Sequence, residues 1–390
     1  MKTQNKKLII HIALDEKFID TAYDIYEKAF PNINSFLILR RPEEDIKYLN
    51  KIDKYRFVQT NTNFIKTIEE YTSSARIVIF HGMSDIQALV VKKLRKKSKK
   101  YVWVPFGTEV YNNKYIVKNL SISPITYKSF VFSKKKWIKE ILRPAYYLLL
   151  KGEKSPKLRI KKSFMKMDYI TILYEEELWN YMKLGIVNPH IEFVKFTYYP
   201  IDIVINANSD FVNGRNILLG NSASYTNNHL EVFEILKKFD LKEFSIITPL
   251  SYGKKDYANK IINLGNEFFG DRFQPITDFK PLREYHKILQ CCGVAIMNHS
   301  RTQATGNIIT LLFLGSKIFL SKETTIFHYL KRIGCFVFSI EHDLDFENKE
   351  TLNLLSKDQM LHNRAILNKE LSLDKLVNEL REKLTPVLYH

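Results

Sequence analysis

The chain has 390 residues, with 60 Lys and Arg against 42 Asp and Glu, a formal net charge of +18 and 45% hydrophobic residues. This length suits two domains with real cores, and the charge calls for an anionic partner: nucleic acid, an anionic membrane face or an anionic substrate. Cys291, Cys292 and Cys335 show no CxxC or Cys/His ligand spacing, so neither a zinc site nor a disulfide framework is indicated and a reducing compartment fits. A basic head and a short apolar run open the chain, but Asp15 and Glu16 follow at once without a cleavage site. No apolar run approaches the ~20 residues of a membrane span.

In chain order, the first half alternates strands and helices. Strands are predicted at Leu8–Leu14, Ser35–Arg40, Arg76–Phe80, Tyr101–Pro105, Asp168–Leu173 and Glu192–Phe196. Helices are predicted at Phe18–Phe30, Thr62–Tyr71, Asp85–Lys97 and Glu175–Leu184. The stretch Ser133–Leu150 is different. Trp137, Ile141, Leu142, Tyr146 and Tyr147 alternate with Lys134, Lys135, Lys136, Lys139 and Arg143, and a further basic string runs to Lys162. A basic, aromatic amphipathic segment over 134–162 suits an anionic membrane face, or it packs its apolar side on its own domain. The Arg95–Lys100 run reads as a solvated helix end.

The polar stretch Asn206–Arg215 marks a domain boundary, giving domains of 1–205 and 206–390. The second half repeats the alternation, with strands at Ile217–Gly220, Phe244–Thr248, Phe273–Ile276, Val294–Asn298, Lys317–Leu320 and Phe336–Ser339. Helices fall between them, and a helical tail starts near Glu350. Such a pattern implies α/β architecture with mostly parallel sheets in two doubly wound halves facing across a cleft. The stretch Asn216–Phe239 reads as buried strand, small polar turn and amphipathic helix, where free N–H groups and a helix dipole could meet a phosphate. Taken alone, it is an ordinary βα connection.

Four polar loops end strands here: Gly220-Asn221-Ser222, Pro249–Gly253, Asn298–Asn307 and Ser321–Thr325. The third joins Arg301 to amides, hydroxyls and a helix start near Gly306, a set able to neutralise a diphosphate without a metal. In the first half, Asp15 and Glu109 are carboxylates at strand ends that could take a proton, Glu109 being preferred. Asp15 could equally cap the helix near Phe18, and Glu109 could pair with a lysine. His11 and His81 also end strands, and His81, beside Gly82, is a further candidate base. Asp343-Leu344-Asp345 matches a metal-binding DxD in letters, but lies where a helix cap is expected.

The order of these motifs resembles the TDP-N-acetylfucosamine:lipid II N-acetylfucosaminyltransferases, glycosyltransferase family 56, also described as 4-alpha-L-fucosyltransferase-like. GNSASYTNNH at Gly220–His229 stands for the family's GNSGDRSN-H, PLSYG at Pro249–Gly253 for PMGYP, and RTQATGN at Arg301–Asn307 for RQQGIGT. HGMS at His81–Ser84 stands for HGQF, FGTEVYN at Phe106–Asn112 for WGADLYE, and LSKETTIF at Leu320–Phe327 for NRENPFW, with Glu323 kept.

The resemblance implies a GT-B fold of two Rossmann-like domains, with an N-terminal acceptor side and a C-terminal nucleotide-sugar side. It implies a hexosyltransferase that takes a 6-deoxy amino sugar from a dTDP-sugar such as dTDP-4-acetamido-4,6-dideoxygalactose. The acceptor would be a lipid-linked saccharide in surface-polysaccharide assembly of the enterobacterial common antigen kind. The protein would be peripheral, on the cytoplasmic face of the bacterial inner membrane and its anionic surface. Donor-binding candidates are Gly220, Asn221, Ser222, Asn227, Tyr252, Arg301, Gln303, Gly306, Asn307 and Glu323; no cofactor or metal is expected. Glu109 in place of the family's Asp, Phe106 in place of its Trp and one glycine fewer before Asn307 bear on the particular sugar and acceptor. The other readings are a nucleic-acid-binding protein, which no helix-turn-helix, RNP or zinc-finger pattern supports, and an inactive GT-B scaffold at the membrane.

Overall fold

The computed structural model describes residues 7–117, 122–130, 142, 146–149, 155–205 and 209–389. They form two compact units. The first comprises 1–118, 138–200 and 371–390, and the second 119–137 and 201–370. Each is built on a parallel sheet whose central strands are continuous apolar runs, as burial on both faces requires.

In the first unit the strands are β1 (Ile9–Ala13), β2 (Asn34–Arg40), β3 (Tyr55–Gln59), β4 (Ile77–His81), β5 (Lys100–Val104), β6 (Tyr169–Ile172) and β7 (Glu192–Lys195). Their order is β3-β2-β1-β4-β5-β6-β7. Every residue of β1 and β4 is buried. One face carries Trp103, Phe164 and Tyr181; the other carries Ile19, Tyr26 and Phe36. In the second unit β8 (Ile217–Leu219), β9 (Ile246–Pro249), β10 (Phe273–Ile276), β11 (Val294–Met297), β12 (Lys317–Leu320) and β13 (Phe338–Ser339) follow the order β10-β9-β8-β11-β12-β13. Chain direction across the sheet reverses between β1 and β4 in the first unit and between β8 and β11 in the second. At such switch points the loops leaving the strands diverge and open a crevice.

The units differ from the expected 1–205 and 206–390 division at residues 119–137, 201–205 and 371–390. The final helix, Leu373–Tyr389, belongs to the first unit, because Val377, Leu380, Leu384 and Leu388 complete the core around Ile19 and Tyr26. Arg381 also donates from Nε to the carbonyl of Ala29 at 3.0 Å. The helix Pro124–Phe130, at a stretch where no element was predicted, belongs to the second unit. Strand β3 was likewise not predicted.

Much of the basic segment 134–162 lies outside the described residues, Lys134, Lys135, Lys136 and Lys139 included. Its final part is the helix Pro156–Phe164, which buries Phe164 with its ring 4.1 Å from that of Trp103. That end therefore packs on its own unit. Leu142, Tyr146, Leu148 and Leu149 are exposed, Leu149 by 79%. Among the described residues no helix is long and apolar enough to cross a membrane.

Candidate active site

The polar loops of the second unit converge where its strand order reverses. Gly220 follows β8 with φ +67°, and a Cβ there would lie 2.6 Å from His229 Nε2 and 2.7 Å from Asn227 Oδ1. Only glycine turns the chain here. Asn227 is wholly buried. Its Oδ1 accepts from Asn221 N at 2.8 Å and from His299 Nε2 at 3.0 Å, while its Nδ2 donates to the Ser222 carbonyl at 3.0 Å. Asn227 thus holds the turn from within, its side-chain oxygen and nitrogen both engaged.

The turn differs from the sequence reading in one respect. Three of its N–H groups are engaged: Asn221 N is held by Asn227, Ala223 N donates to the Tyr252 carbonyl and Ser224 N to the Ser222 carbonyl, the last two at 2.8 Å. The next helix, His229–Leu236, starts beyond a 3₁₀ turn and a left-handed Asn228, at a buried His229. What the turn presents is side chains. Tyr252 Oη accepts from Asn221 Nδ2 at 2.9 Å, Asn221 Oδ1 accepts from Gln303 Nε2 at 3.0 Å, and Gln303 Oε1 accepts from Thr226 Oγ1 at 2.7 Å. This chain ties the loops after β8, β9 and β11 into one polar wall, with Tyr252 57% exposed at its end.

The helix Thr305–Leu314 also starts at this end of the sheet. Ala304 precedes it in the left-handed region at φ +57°, and Gly306 and Asn307 lie in its first turn. The first N–H groups of a helix have no intrahelical acceptor and carry the positive end of its dipole. Asn307 Nδ2 donates to Tyr285 Oη at 3.2 Å. Arg301, half-buried, stands in the same loop. Burial holds the His299 ring neutral, its pKa pushed down to about 3, with the Arg301 charge acting in the same direction. Thr302 and Thr325 share a hydroxyl hydrogen bond of 2.8 Å that fixes the loop to the helix after β12. Glu323 is exposed beside that helix start, its N–H donating to Ser321 Oγ at 3.3 Å.

In the first unit, Glu109 opens the short helix Thr108–Tyr111 after β5. Its Oε1 accepts from Phe106 N at 3.0 Å and from Trp103 Nε1 at 3.3 Å. Burial pushes this carboxyl above the usual range, and the charge of Glu16 adds to the rise. No lysine pairs with it among the hydrogen bonds and ion pairs described. Asp15 does not cap the helix Ile19–Ala29; it accepts from Lys47 N at 2.5 Å and Tyr48 N at 3.1 Å, pinning the loop after β2.

His81 lies inside the core of the first unit. It is 1% exposed, with Nε2 3.0 Å from His11 Nδ1 and Nδ1 2.8 Å from Tyr198 Oη. Burial lowers its pKa to about 3. In both His81 and His11 each ring nitrogen has a partner inside the core. The proton order that satisfies the chain is Tyr198 O–H to His81 Nδ1, His81 Nε2–H to His11 Nδ1, and His11 Nε2–H to Asn34 Oδ1. The literal DxD binds its own turns: Asp343 accepts from Ser339 N at 2.6 Å and Asp345 from Glu347 N at 3.0 Å.

Residues 194–381 match the family described as 4-alpha-L-fucosyltransferase glycosyl transferase group 56. The protein is a glycosyltransferase. Solved structures similar to it have the GT-B fold. A glycosyltransferase from Rickettsia africae ESF-5 superposes with a TM-score of 0.62 at 13% identity, over 99% of this chain and 100% of that one. HepE of Anabaena, solved with UDP and glucose, gives 0.64 at 9% over 97% and 100%. Sucrose-phosphate synthase of Thermosynechococcus elongatus gives 0.55 at 8% over 98% and 96%. The matched residues contain every donor-binding candidate of the glycosyltransferase.

Sequence reasoning missed four groups in this glycosyltransferase. His299 and Thr226 complete the polar wall, and Asn228 joins the loops after β8 and β11 through its Nδ2 to the Asn298 carbonyl, 2.9 Å. Glu16 sits near Glu109 with its own carboxyl pushed up by burial and by Asp15. The visible signal for Glu16 was a pair of adjacent acids at a strand end in a basic chain.

Proposed function

We propose that this glycosyltransferase moves a 6-deoxy amino sugar of N-acetylfucosamine type from a dTDP-sugar to a lipid-linked saccharide, at the cytoplasmic face of a bacterial inner membrane and without a metal. The observation that carries the reading is the family 56 match over residues 194–381, because within it Arg301 stands beside the open N-terminus of the helix Thr305–Leu314 at the switch point. Glycosyl transfer leaves charge on the departing diphosphate. A guanidinium and a helix N-terminus stabilise that charge directly. Gln303, Asn221 and Tyr252 offer hydrogen-bonding groups for the remainder of the donor, and exposed Glu323 can accept from its hydroxyls. HepE, a protein of similar fold, was solved with UDP-glucose, which supports a nucleotide-sugar donor.

Glu109 is the base for the acceptor hydroxyl. One oxygen is fixed by two N–H donors, and its raised pKa makes it a stronger proton acceptor than an exposed carboxylate. The exposed Leu142, Tyr146, Leu148 and Leu149, with the lysines around them in sequence, support attachment to an anionic bilayer holding the acceptor.

The test is release of dTDP from the dTDP-sugar, in EDTA, with and without membranes containing the lipid-linked saccharide. Release that needs the membranes and is lost in Glu109→Gln supports the reading. Turnover of a UDP-sugar instead discards the donor, and turnover without membranes discards the acceptor.

A further inference from the structure

The helix Pro124–Phe130 lies in the first half of the sequence, yet it is clasped to the donor side of the second unit. Thr126 donates twice to the carboxylate of Glu231, from N at 2.9 Å and from Oγ1 at 2.6 Å. Just before the helix, Ser123 N donates to Asn228 Oδ1 at 2.8 Å. At its other end the Phe130 ring packs on Tyr225, 5.4 Å between centroids.

Tyr225 and Asn228 bracket the 3₁₀ turn Tyr225–Asn227. Between them, Thr226 holds Gln303 and Asn227 holds the Asn221 turn. Asn228 itself is left-handed at φ +49°, a conformation that costs a non-glycine residue free energy and persists only where surrounding contacts enforce it. Its side-chain Nδ2 reaches the loop after β11 through the Asn298 carbonyl, while its side-chain Oδ1 accepts from Ser123 N.

We infer that the segment Ser123–Phe130 is a clasp that positions the donor-binding loops, with Thr126 and Glu231 as positioning residues for nucleotide binding. The inference rests on the reading of the second unit as the nucleotide-sugar site. The clasp grips the turn at both ends and touches neither Arg301 nor the helix Thr305–Leu314 in any hydrogen bond described. Its loss therefore loosens the wall formed by Asn221, Gln303 and Tyr252 while leaving the diphosphate end intact.

The experiment is calorimetric titration of the full chain with dTDP and UDP, well below the melting temperature, comparing wild type with Thr126→Val, Thr126→Ser and Glu231→Gln. Valine keeps the shape and the backbone donor of Thr126 but removes the hydroxyl; serine restores the hydroxyl. The expected result is a Kd about fivefold higher in Thr126→Val, the scale of one lost buried hydrogen bond, with Thr126→Ser near wild type and Glu231→Gln in between. A lower melting temperature with unchanged Kd in Thr126→Val shows a role in stability alone and overturns the inference. Absence of nucleotide binding by folded wild type overturns the donor-site reading and the inference with it.

Discussion

At Gly220 the chain leaves β8 with no room for a side chain. A methyl group would press on His229 and Asn227 in a backbone conformation that L-residues rarely adopt. Gly220→Ala is therefore expected to cost about 1–3 kcal/mol from the backbone alone and to weaken nucleotide binding, read by denaturant unfolding and calorimetry. Wild-type stability would contradict the rigid turn. The residues of this turn were legible in the sequence, but not their job. Small polar residues after a strand suggest free N–H groups; here Asn227, seven residues on from Gly220 in the chain's polar run, folds back and takes one of them. Side chains buried against backbone cannot be told by residue type from side chains offered to a ligand. The same ambiguity governs His81. Its place at a strand end suggests a base, whereas the contacts with His11 and Tyr198 come from strands and loops distant in sequence.

The elements that escaped prediction are those whose pattern is set from outside themselves. Strand β3 is an edge strand with only Tyr55 and Val58 buried, set among lysines, so its apolar signal is thin. The helix Pro124–Phe130 buries Thr126 and otherwise presents a mixed face, because a carboxylate on another helix supplies its anchor. The central strands were legible because burial on both faces writes an unbroken apolar run. The final helix, Leu373–Tyr389, was visible as a helix, but its destination was not: leucines at helical spacing say that a face is buried, not against which core. Since Leu384 is fully buried in the core of the first unit, Leu384→Ala should destabilise that unit by about 2–5 kcal/mol without changing nucleotide affinity in the second at temperatures where both remain folded. Differential scanning calorimetry with titration checks this. A loss of nucleotide affinity with no loss of stability would place the helix wrongly.

The whole molecule is basic on its surface and keeps neutral histidines inside. Burial lowers the pKa of His81, His229 and His299 to about 3. Unfolded histidines titrate near 6.5, so between these values the unfolded chain binds more protons. Stability is then fully present above about pH 7 and is lost as pH falls below about 6.5, by up to ~1.4 kcal/mol per pH unit for each buried ring. Denaturant midpoints that stay level from pH 7 to pH 5 would contradict this burial. The excess of 60 basic over 42 acidic residues gives a second expectation at this scale. Replacing Lys134, Lys135, Lys136 and Lys139 with Gln should release the protein from anionic vesicles, each lysine near the surface contributing ~1 kcal/mol, and salt should do the same to wild type. Undiminished binding of the quadruple variant would remove segment 134–162 from the membrane contact.

The central claim is that a dTDP-sugar binds the second unit through Arg301 and the helix that follows it. Its most direct measurement is calorimetric titration of wild type and Arg301→Ala with dTDP, UDP, GDP and CMP in EDTA. Tightest binding is expected of dTDP, undisturbed by EDTA and weakened by about 1.5–3 kcal/mol in Arg301→Ala, the scale of a charged hydrogen bond. Equal affinity in the two proteins, or no binding of any nucleotide by wild type, would contradict it.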